Sequence, residues 1–576
     1  MSEIDSSAST KTYTPQTVTS EITNLLEPPS ISRDLPKSFG SFFKNPFNNL
    51  QREIVILNKT KPTPDDDDQL TDEQRILQLQ EQEIQQRHAS LSKTKKYLPI
   101  ITTGAGLFSD GYINNSIGTV STILSILYPV EYKDSGAIKN VNSLAFVGIV
   151  VGQISFGFIA DYYSRRAAML WGTIILIIFT ILASASWGHN ANDVTGMLTA
   201  LTVWRVFMGV GLGSEYPAAS TACAEASLLL PAAKRNRYFA WFTNTMIDLG
   251  FLTSAIVPTV LVAIFGDSGS WALTRVWRLT LGLGAIPPVA LLVMRFYYKE
   301  SESFNKHRFK RVKVPYWRVI KFYWFRLLVI SSIWFIYDFC AYGFGLFSSH
   351  ILAELYHGDS LSTIFQWNIL FNAFYLPGAI LGAWAADYFG PRLTLVVGVT
   401  LQSIVGYIMA GTFGSLTKNV AGFVVAYGIF MTLGEFGPGD NIGLLASKTC
   451  ASAIRGQYYG ICAALGKVGA FIGVYCFTPL IDQHGTQSAW WLASSLGIFA
   501  AVLAFFLLPA VDQDAMTRED ELFMEYLKST GFDTSLIGLE PDIECCSEEV
   551  VTQTEYSDSS EQRVNRKTGF QSPEFN

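Results

Sequence analysis

The amino-acid sequence predicts an all-α membrane protein of twelve transmembrane helices in two six-helix halves, with both termini in the cytoplasm. Three observations indicate this fold class: an apolar composition, twelve apolar stretches, and a loop motif that occurs once in each half. Of the 576 residues, 49% are hydrophobic and only 16% are charged. This composition is too apolar for a soluble multidomain chain of the same length.

A transmembrane helix needs about 20 consecutive, mostly apolar residues. Stretches of this kind, which we number spans 1 to 12 in chain order, lie at 97–128, 140–160, 167–187, 194–224, 238–265, 277–297, 327–354, 363–386, 392–412, 419–447, 457–481 and 487–508. The residues before span 1 are hydrophilic and include the acidic run 65–68, so no signal peptide is expected there. We therefore expect span 1 to direct membrane insertion.

Lys and Arg are concentrated in the short loops after the even-numbered spans and in a long connection after span 6. By the positive-inside rule, these loops face the cytoplasm. We therefore expect five segments: a disordered acidic cytoplasmic tail at 1–96, a six-helix half at 97–297, a basic cytoplasmic linker at 298–326, a second six-helix half at 327–508 and an acidic cytoplasmic tail at 509–576.

Charge and cysteine content argue against several function classes. A net charge of -6 provides no concentrated basic face, so nucleic acid is not an expected partner. The seven cysteines show no metal-ligand spacing. The chain also has no hydrolase constellation and no phosphate-cradling glycine loop of nucleotidase type. We expect neither an enzyme nor a metal or other cofactor.

The loops after spans 2 and 8 carry similar motifs. The first contains Asp161, Arg165 and Arg166, and the second contains Asp387 and Arg392, with a tyrosine directly after each Asp. Any short cytoplasmic loop needs a turn and a cation, but that requirement explains one such loop better than a matching pair. The pair therefore indicates an internal repeat that relates the two halves.

With these two loops, the chain resembles the major facilitator superfamily. Its signature loop Gly-x-x-x-Asp-Arg-x-Gly-Arg-Arg is matched by Gly157, Asp161, Arg165 and Arg166, although Tyr162 stands where the signature has Arg. The resemblance implies alternating access between the two halves, with gating loops that contain Asp161, Arg165, Arg166, Asp387 and Arg392.

Several ionisable side chains lie inside the predicted spans. Each costs about 2.5 to 3.5 kcal/mol on insertion scales and is therefore a functional candidate. Asp110 lies about 20 Å beyond Lys96 at a rise of about 1.5 Å per residue, near mid-membrane. A carboxyl group in such surroundings can take up and release a proton near neutral pH. The alternative is an acid that is hydrogen-bonded to a neighbouring helix for packing alone.

Span 4 contains Arg205 and Glu215, with Gly209, Gly211 and Gly213 between them. Small residues let helices approach closely, so we expect the glycines to serve packing. For Arg205 and Glu215 we favour a functional role. The alternative for Arg205 is a side chain that snorkels to the membrane surface.

Span 7 places an acid between two aromatic residues. Trp334, Asp338 and Tyr342 recur every four residues, so they share one helix face. A stripe of aromatic residues alone is most often core. With an acid at its centre, the stripe is better explained as the wall of a cavity that contains a titratable group.

Span 10 is interrupted by Gly437, Pro438 and Gly439, which are followed by Asp440 and Asn441. We expect these residues to break the helix. Irregular backbone at membrane depth is tolerated where it lines a cavity or is buried in protein. Asp440 and Asn441 are therefore candidate polar ligands.

Lys467 lies in span 11, about 18 Å beyond Arg455 along a helix. A buried ammonium group without a partner would lose its proton, so Lys467 must meet an acid or an anionic substrate. A purely structural ion pair is the alternative. Together with Arg205 and the acids, Lys467 predicts a cavity for a small anion. We expect protons to enter with this anion and to offset its charge, because each net charge moved across the membrane is worth about 2.3 kcal/mol per 100 mV.

Within the superfamily, spans 1 to 12 resemble the phosphate–proton symporter branch. That branch carries an Asp in span 1, Gly-Asp-Tyr-Pro in span 4, Trp-x-x-x-Asp-x-x-x-Tyr in span 7, a Gly-Pro-Asn turn in span 10 and Gly-Lys in span 11. The resemblance implies that the phosphate group is surrounded by Tyr216, Trp334, Asp338 and Tyr342 and assisted by Lys467.

Residues and resemblance together give two candidate sets. The substrate-binding set is Arg205, Tyr216, Asp248, Trp334, Asp338, Tyr342, Asp440, Asn441 and Lys467. The proton-coupling set is Asp110, Glu215 and Asp338. Asp248 enters the first set only because it stands close to the place of a family Gln in span 5.

Two departures from the branch bear on the substrate. Glu215 replaces the Asp of the span-4 motif, and the longer Gly-Pro-Gly-Asp-Asn sequence replaces the Gly-Pro-Asn turn, which leaves room for a group attached to the phosphate. The stretches 435–441 and 455–460 resemble the glycerophosphoinositol permeases of yeasts, which import glycerophosphodiesters across the plasma membrane with protons.

The expected function is therefore proton-driven import of glycerophosphodiesters, with glycerophosphoinositol as the expected substrate, by a monomer in the lipid bilayer of the plasma membrane. An inorganic phosphate–proton symporter is the first alternative. A sugar porter and a nutrient sensor that has lost transport are the others.

Overall fold

The structure is a computed structural model that describes residues 91–190, 192–309, 313–355, 360–511, 513–535 and 537–538, together with nine residues between 34 and 54. The regular elements within these residues are all helical. Eleven helices are long and apolar enough to cross a membrane, and they correspond to spans 2 to 12. Their bounds are Ala137–Tyr162, Arg165–Ser184, Val194–Ser227, Arg235–Phe265, Ser270–Phe296, Tyr316–Phe344, Leu361–Tyr388, Pro391–Leu416, Ala421–Lys448, Ser452–Ile481 and Thr486–Leu507.

Span 1 differs from the other spans. It consists of two helices, Lys93–Gly104 and Leu107–Leu127, and the second is rich in Ser, Thr and Asn. This helix nevertheless packs within the bundle, where the Tyr112 hydroxyl donates to the Thr280 carbonyl of span 6 at 2.7 Å. Eleven of the twelve predicted spans are thus confirmed as apolar helices, and span 1 is interrupted and more polar.

The predicted break in span 10 is wrong. The residues Glu435–Gly439 form a π-helical segment, after which the α-helix Asp440–Lys448 continues. Pro438 lacks the N–H that a regular turn needs. The wider turn, in which the Asp440 N–H donates to the Glu435 carbonyl, lets the helix continue past it. A similar π-helical segment, Glu215–Ser220, occurs in span 4.

The glycines of span 4 serve close packing, as expected. A Cβ atom on Gly209 would collide with the backbone carbonyl of Ala145 in span 2, and one on Gly213 would collide with that of Ile149. The two helix backbones can approach this closely only because these positions carry no side chain.

Both predicted tails contain residues that contact the bundle. A helix at Ala515–Ser529 follows span 12, and the ring of its Tyr526 stacks on Phe322 with 4.6 Å between centroids. Near the N-terminus, the Glu53 carboxylate binds the Arg392 guanidinium through two hydrogen bonds of 2.8 Å. The rest of the predicted N-terminal tail up to residue 90, including the acidic run 65–68, and the chain beyond residue 538 lie outside the described residues.

Candidate functional site

A cavity with about 900 Å³ of open space lies between the two halves. Its wall contains four carboxyl side chains, of Asp248, Asp338, Glu435 and Asp440. Among the described residues that line it, Lys467 is the only lysine or arginine. Each of these five side chains belongs to a residue that is at most 5% exposed. The cavity is therefore a buried and strongly charged space.

Lys467 lies at one end of the cavity, which we call the lysine end and define as Lys467, Asp338, Tyr342, Tyr216 and Trp334. The Lys467 ammonium lies 3.1 Å from an Asp338 carboxylate oxygen and donates to the Tyr342 hydroxyl at 2.7 Å. The Tyr216 ring lies 5.1 Å from the same ammonium, and the Trp334 ring lies 6.4 Å from that of Tyr216. An ammonium group has three donors, so Lys467 can bind both neighbours and an anionic group of a ligand.

Asp110 lies outside the cavity wall and is hydrogen-bonded to Tyr216 of the lysine end. The Tyr216 hydroxyl donates to one Asp110 oxygen at 2.5 Å, and the Asn114 amide donates to the other at 2.7 Å. Asp110 is fully buried and is not among the residues that line the cavity. Tyr216 therefore links the Asp110 carboxyl to the cavity by one hydrogen bond, which is suitable for proton transfer.

The acidic end, which we define as Asp248, Glu435, Asp440, Asn244 and Tyr337, forms another part of the cavity wall. The Asn244 amide donates to Glu435 at 2.8 Å and to Asp440 at 3.1 Å. The Tyr337 hydroxyl donates to the other Glu435 oxygen at 2.9 Å. Both carboxylate oxygens of Asp248 have no hydrogen-bond partner among the described residues. This end thus carries three carboxyl groups with few donors.

Two residues of the predicted substrate-binding set lie away from the cavity, while the other seven line it. Arg205 is buried in the first half, where its Nε donates to the Val141 carbonyl at 2.9 Å. The Asn441 amide donates to the Gly437 carbonyl at 2.8 Å and so supports the π-helical segment of span 10. The expectation that both line the substrate site is therefore corrected, because each satisfies a backbone carbonyl instead.

Glu215, predicted to act in proton coupling, also lies outside the residues that line the cavity. Its carboxylate accepts two hydrogen bonds from the Arg295 guanidinium of span 6, at 2.6 and 2.5 Å. Arg295 additionally donates to the Thr173 hydroxyl at 2.5 Å. Glu215 thus belongs to an ion pair inside the first half.

The loop acids after spans 2 and 8 each hold the start of a helix in the opposite half. Asp161 accepts hydrogen bonds from the N–H groups of Gly456 and Gln457 at 2.8 and 2.7 Å, in the first turn of span 11. Asp387 accepts one from the N–H of Arg237 at 3.2 Å, in the first turn of span 5. Both acids therefore join the two halves on the side of the linker.

The arginines of these two loops, together with Arg455 at the start of span 11, divide into two groups. Arg165 and Arg455, from opposite halves, both pair with Glu225, at 2.9 and 3.0 Å. Arg166 instead bonds to the linker residue Glu300 through its N–H, and Arg392 bonds to Glu53 as described above. Only the first group bridges the halves.

Sequence reasoning missed three residues of the acidic end: Glu435, Asn244 and Tyr337. Glu435 is an ionisable residue inside span 10, so the rule that selected Asp110 would have found it as well. Asn244 and Tyr337 carry no such signal. Only the packing of spans 5, 7 and 10 shows that they meet.

The profile of a family described as "Sugar (and other) transporter" matches residues 96–313 and 303–523. The chain is 47% identical to the glycerophosphocholine permease GIT4 of Candida albicans over 88% of this chain and 94% of that protein. It is 46% identical to the major glycerophosphoinositol permease GIT3 of the same organism over 90% of this chain and 96% of that protein.

A solved structure has the same fold. The proton:xylose symporter XylE superposes with a TM-score of 0.65 at 15% identity, over 75% of this chain and 100% of that chain. At this identity the match concerns the fold alone. Together, the family profile, the two permeases and the shared fold establish that this chain is a multi-pass membrane transporter that belongs to the sugar (and other) transporter family of the major facilitator superfamily.

Proposed function

We propose that the protein imports glycerophosphodiesters together with protons across the plasma membrane, and that the phosphate group binds at the lysine end. The observation that carries this proposal is Lys467, which is held by Asp338 and Tyr342 at the wall of the cavity. A phosphodiester carries one negative charge and several acceptor oxygens. An ammonium group beside the Tyr342 hydroxyl offers the matching charge and donors. The names of the two permeases give independent support.

Asp338 provides a physical reason for coupling to protons. Its carboxylate and the substrate phosphate compete for the positive charge of Lys467, although the ammonium group has a third N–H for the ligand. Protonation of Asp338 removes that competition, and the added proton offsets the charge of the phosphate. Asp110, which is bonded to Tyr216, is the second candidate for a carried proton. Release to the cytoplasm then requires the contacts of Asp161 and Asp387 to open.

The extent of the cavity wall bears on the alternative substrates. An inorganic phosphate ion at the lysine end would leave the other lining residues without a ligand, whereas a glycerophosphodiester extends on both sides of its phosphate group. Glycerophosphoinositol, which the sequence predicts, is one such molecule. The relatives are named for both choline and inositol head groups, so these names do not choose between the two.

Uptake into liposomes that contain the purified protein tests the proposal. We expect labelled glycerophosphocholine or glycerophosphoinositol to accumulate when the outside is more acidic than the inside, and a protonophore to abolish accumulation. Excess free phosphate should inhibit weakly. Absence of any uptake would favour a sensor without transport, and strong inhibition by phosphate, together with uptake of labelled phosphate, would favour a phosphate carrier.

A further inference from the structure

We propose that the acidic end is a binding site for a cationic head group, so that the preferred substrates are glycerophosphodiesters that carry an ammonium charge beside the phosphate. The inference rests on the proposed function and adds to it a second site within the same cavity. It also replaces glycerophosphoinositol by a zwitterionic molecule as the substrate that the cavity fits best.

The charge of the cavity is the first argument. Four carboxyl side chains and the ammonium of Lys467 line it among the described residues. A purely anionic ligand at the lysine end leaves the three carboxyl groups of the acidic end without a counter-charge. A buried carboxyl group without a cation keeps its proton, whereas a neighbouring cation favours the ionised form. A zwitterionic ligand supplies the missing cation itself.

The unpartnered oxygens are the second argument. Asp248 is 0% exposed and lines the cavity, yet neither of its carboxylate oxygens has a hydrogen-bond partner among the described residues. Buried side-chain oxygens are almost always hydrogen-bonded. Carboxylates that face open space inside the protein therefore indicate a ligand that binds them.

Aromatic rings next to these carboxylates indicate the kind of cation. Phe251 and Tyr375 line the same cavity as these carboxyl groups, with 5.2 Å between their ring centroids. Tyr337 adds a third ring. Aromatic faces combined with negative charge are the usual surroundings of a quaternary ammonium group, which has no N–H to donate.

A metal ion is a poorer match for the acidic end. No group of three or more His, Cys, Asp or Glu side chains in the described part of the chain is arranged to hold one. The carboxyl groups of the acidic end therefore do not converge on one point in the way that a small metal ion requires. A bulky organic cation needs no such convergence, because its charge is spread over a larger surface.

Both ends lie within reach of one small molecule. Tyr337 and Asp338 are consecutive residues of span 7, with Cα atoms about 3.8 Å apart. Tyr337 bonds to Glu435 at the acidic end, and Asp338 pairs with Lys467 at the lysine end. The phosphate and the ammonium group of a glycerophosphodiester such as glycerophosphocholine are separated by a short carbon chain. One such molecule can therefore bind both ends.

The substitution Asp248→Asn tests this inference. It removes the charge while keeping the size, and it breaks no hydrogen bond of the described structure. In liposomes we expect the KM for glycerophosphocholine to rise about tenfold or more, as for the loss of one close charge pair. The KM for glycerophosphoinositol should stay within about twofold, since its head group is uncharged. Asp134→Asn, in the exposed loop after span 1, is the matched control and should change neither value.

The outcomes separate this inference from the proposed function. A wild-type protein that takes up glycerophosphoinositol but neither transports nor is inhibited by glycerophosphocholine would overturn the inference alone. The inference would also be overturned if Asp248→Asn changed the KM values of both substrates equally or changed neither. A selective loss of glycerophosphoinositol uptake would overturn it as well. Uptake of neither substrate by the wild type would overturn the proposed function. If Asp248→Asn fails to fold, Glu435→Gln must show the same selectivity.

Discussion

Spans 4 and 10 contain the same backbone feature with different charge environments. Each has a π-helical segment that begins with a glutamate and contains a proline, Glu215–Ser220 in the first half and Glu435–Gly439 in the second. Glu215 is neutralised by Arg295, whereas the donors to Glu435 among the described residues are the uncharged Asn244 and Tyr337. Because the two backbone segments are alike, the difference between the two glutamates comes from the side chains that bind them. Glu215 stabilises one half, and Glu435 faces the cavity.

The largest expected difference between the two glutamates is in stability. Glu215→Gln leaves the buried Arg295 guanidinium without a counter-charge, which should cost about 3–5 kcal/mol of unfolding free energy. Glu435→Gln keeps an oxygen for Tyr337 and should change stability by about 1 kcal/mol or less. Thermal unfolding of the two purified variants in the same detergent measures the difference. Equal losses would contradict the roles that we assign to the two acids.

A smaller effect, on uptake, should distinguish the two ends of the cavity. Lys467→Gln removes the charge that binds the phosphate, a contact worth about 1.5–3 kcal/mol, so kcat/KM should fall about 10- to 150-fold. The fall should be the same for glycerophosphocholine and glycerophosphoinositol, because both carry the phosphate. Initial uptake rates over a range of substrate concentrations give these values, with Lys467→Arg as the control that keeps the charge. A loss confined to one head group would contradict the assignment.

The lysine end was predictable because its residues carry strong sequence signals. Asp338 and Lys467 are ionisable residues within apolar spans, and the spacing of Trp334, Asp338 and Tyr342 puts all three on one helix face. The structure brings them together at one wall of the cavity. The apolar stretches likewise predicted eleven helices correctly, although the interruption of span 1 has no comparable signal.

The remaining residues were misjudged because their partners are distant in sequence. Arg205 and Glu215 look like members of a substrate pathway, but one binds the carbonyl of Val141 and the other binds Arg295. No local pattern reveals either contact. The acidic end was found only in part for the same reason, since it assembles from spans 5, 7 and 10.

The central claim is that one glycerophosphodiester binds with its phosphate at the lysine end and its head group at the acidic end. An experimental structure of the protein with bound glycerophosphocholine tests this most directly. We expect a phosphate oxygen within hydrogen-bond distance of the Lys467 ammonium and the quaternary ammonium group beside Asp248 and Tyr375. A phosphate group bound away from Lys467, or a head group turned away from the acidic end, would contradict the account.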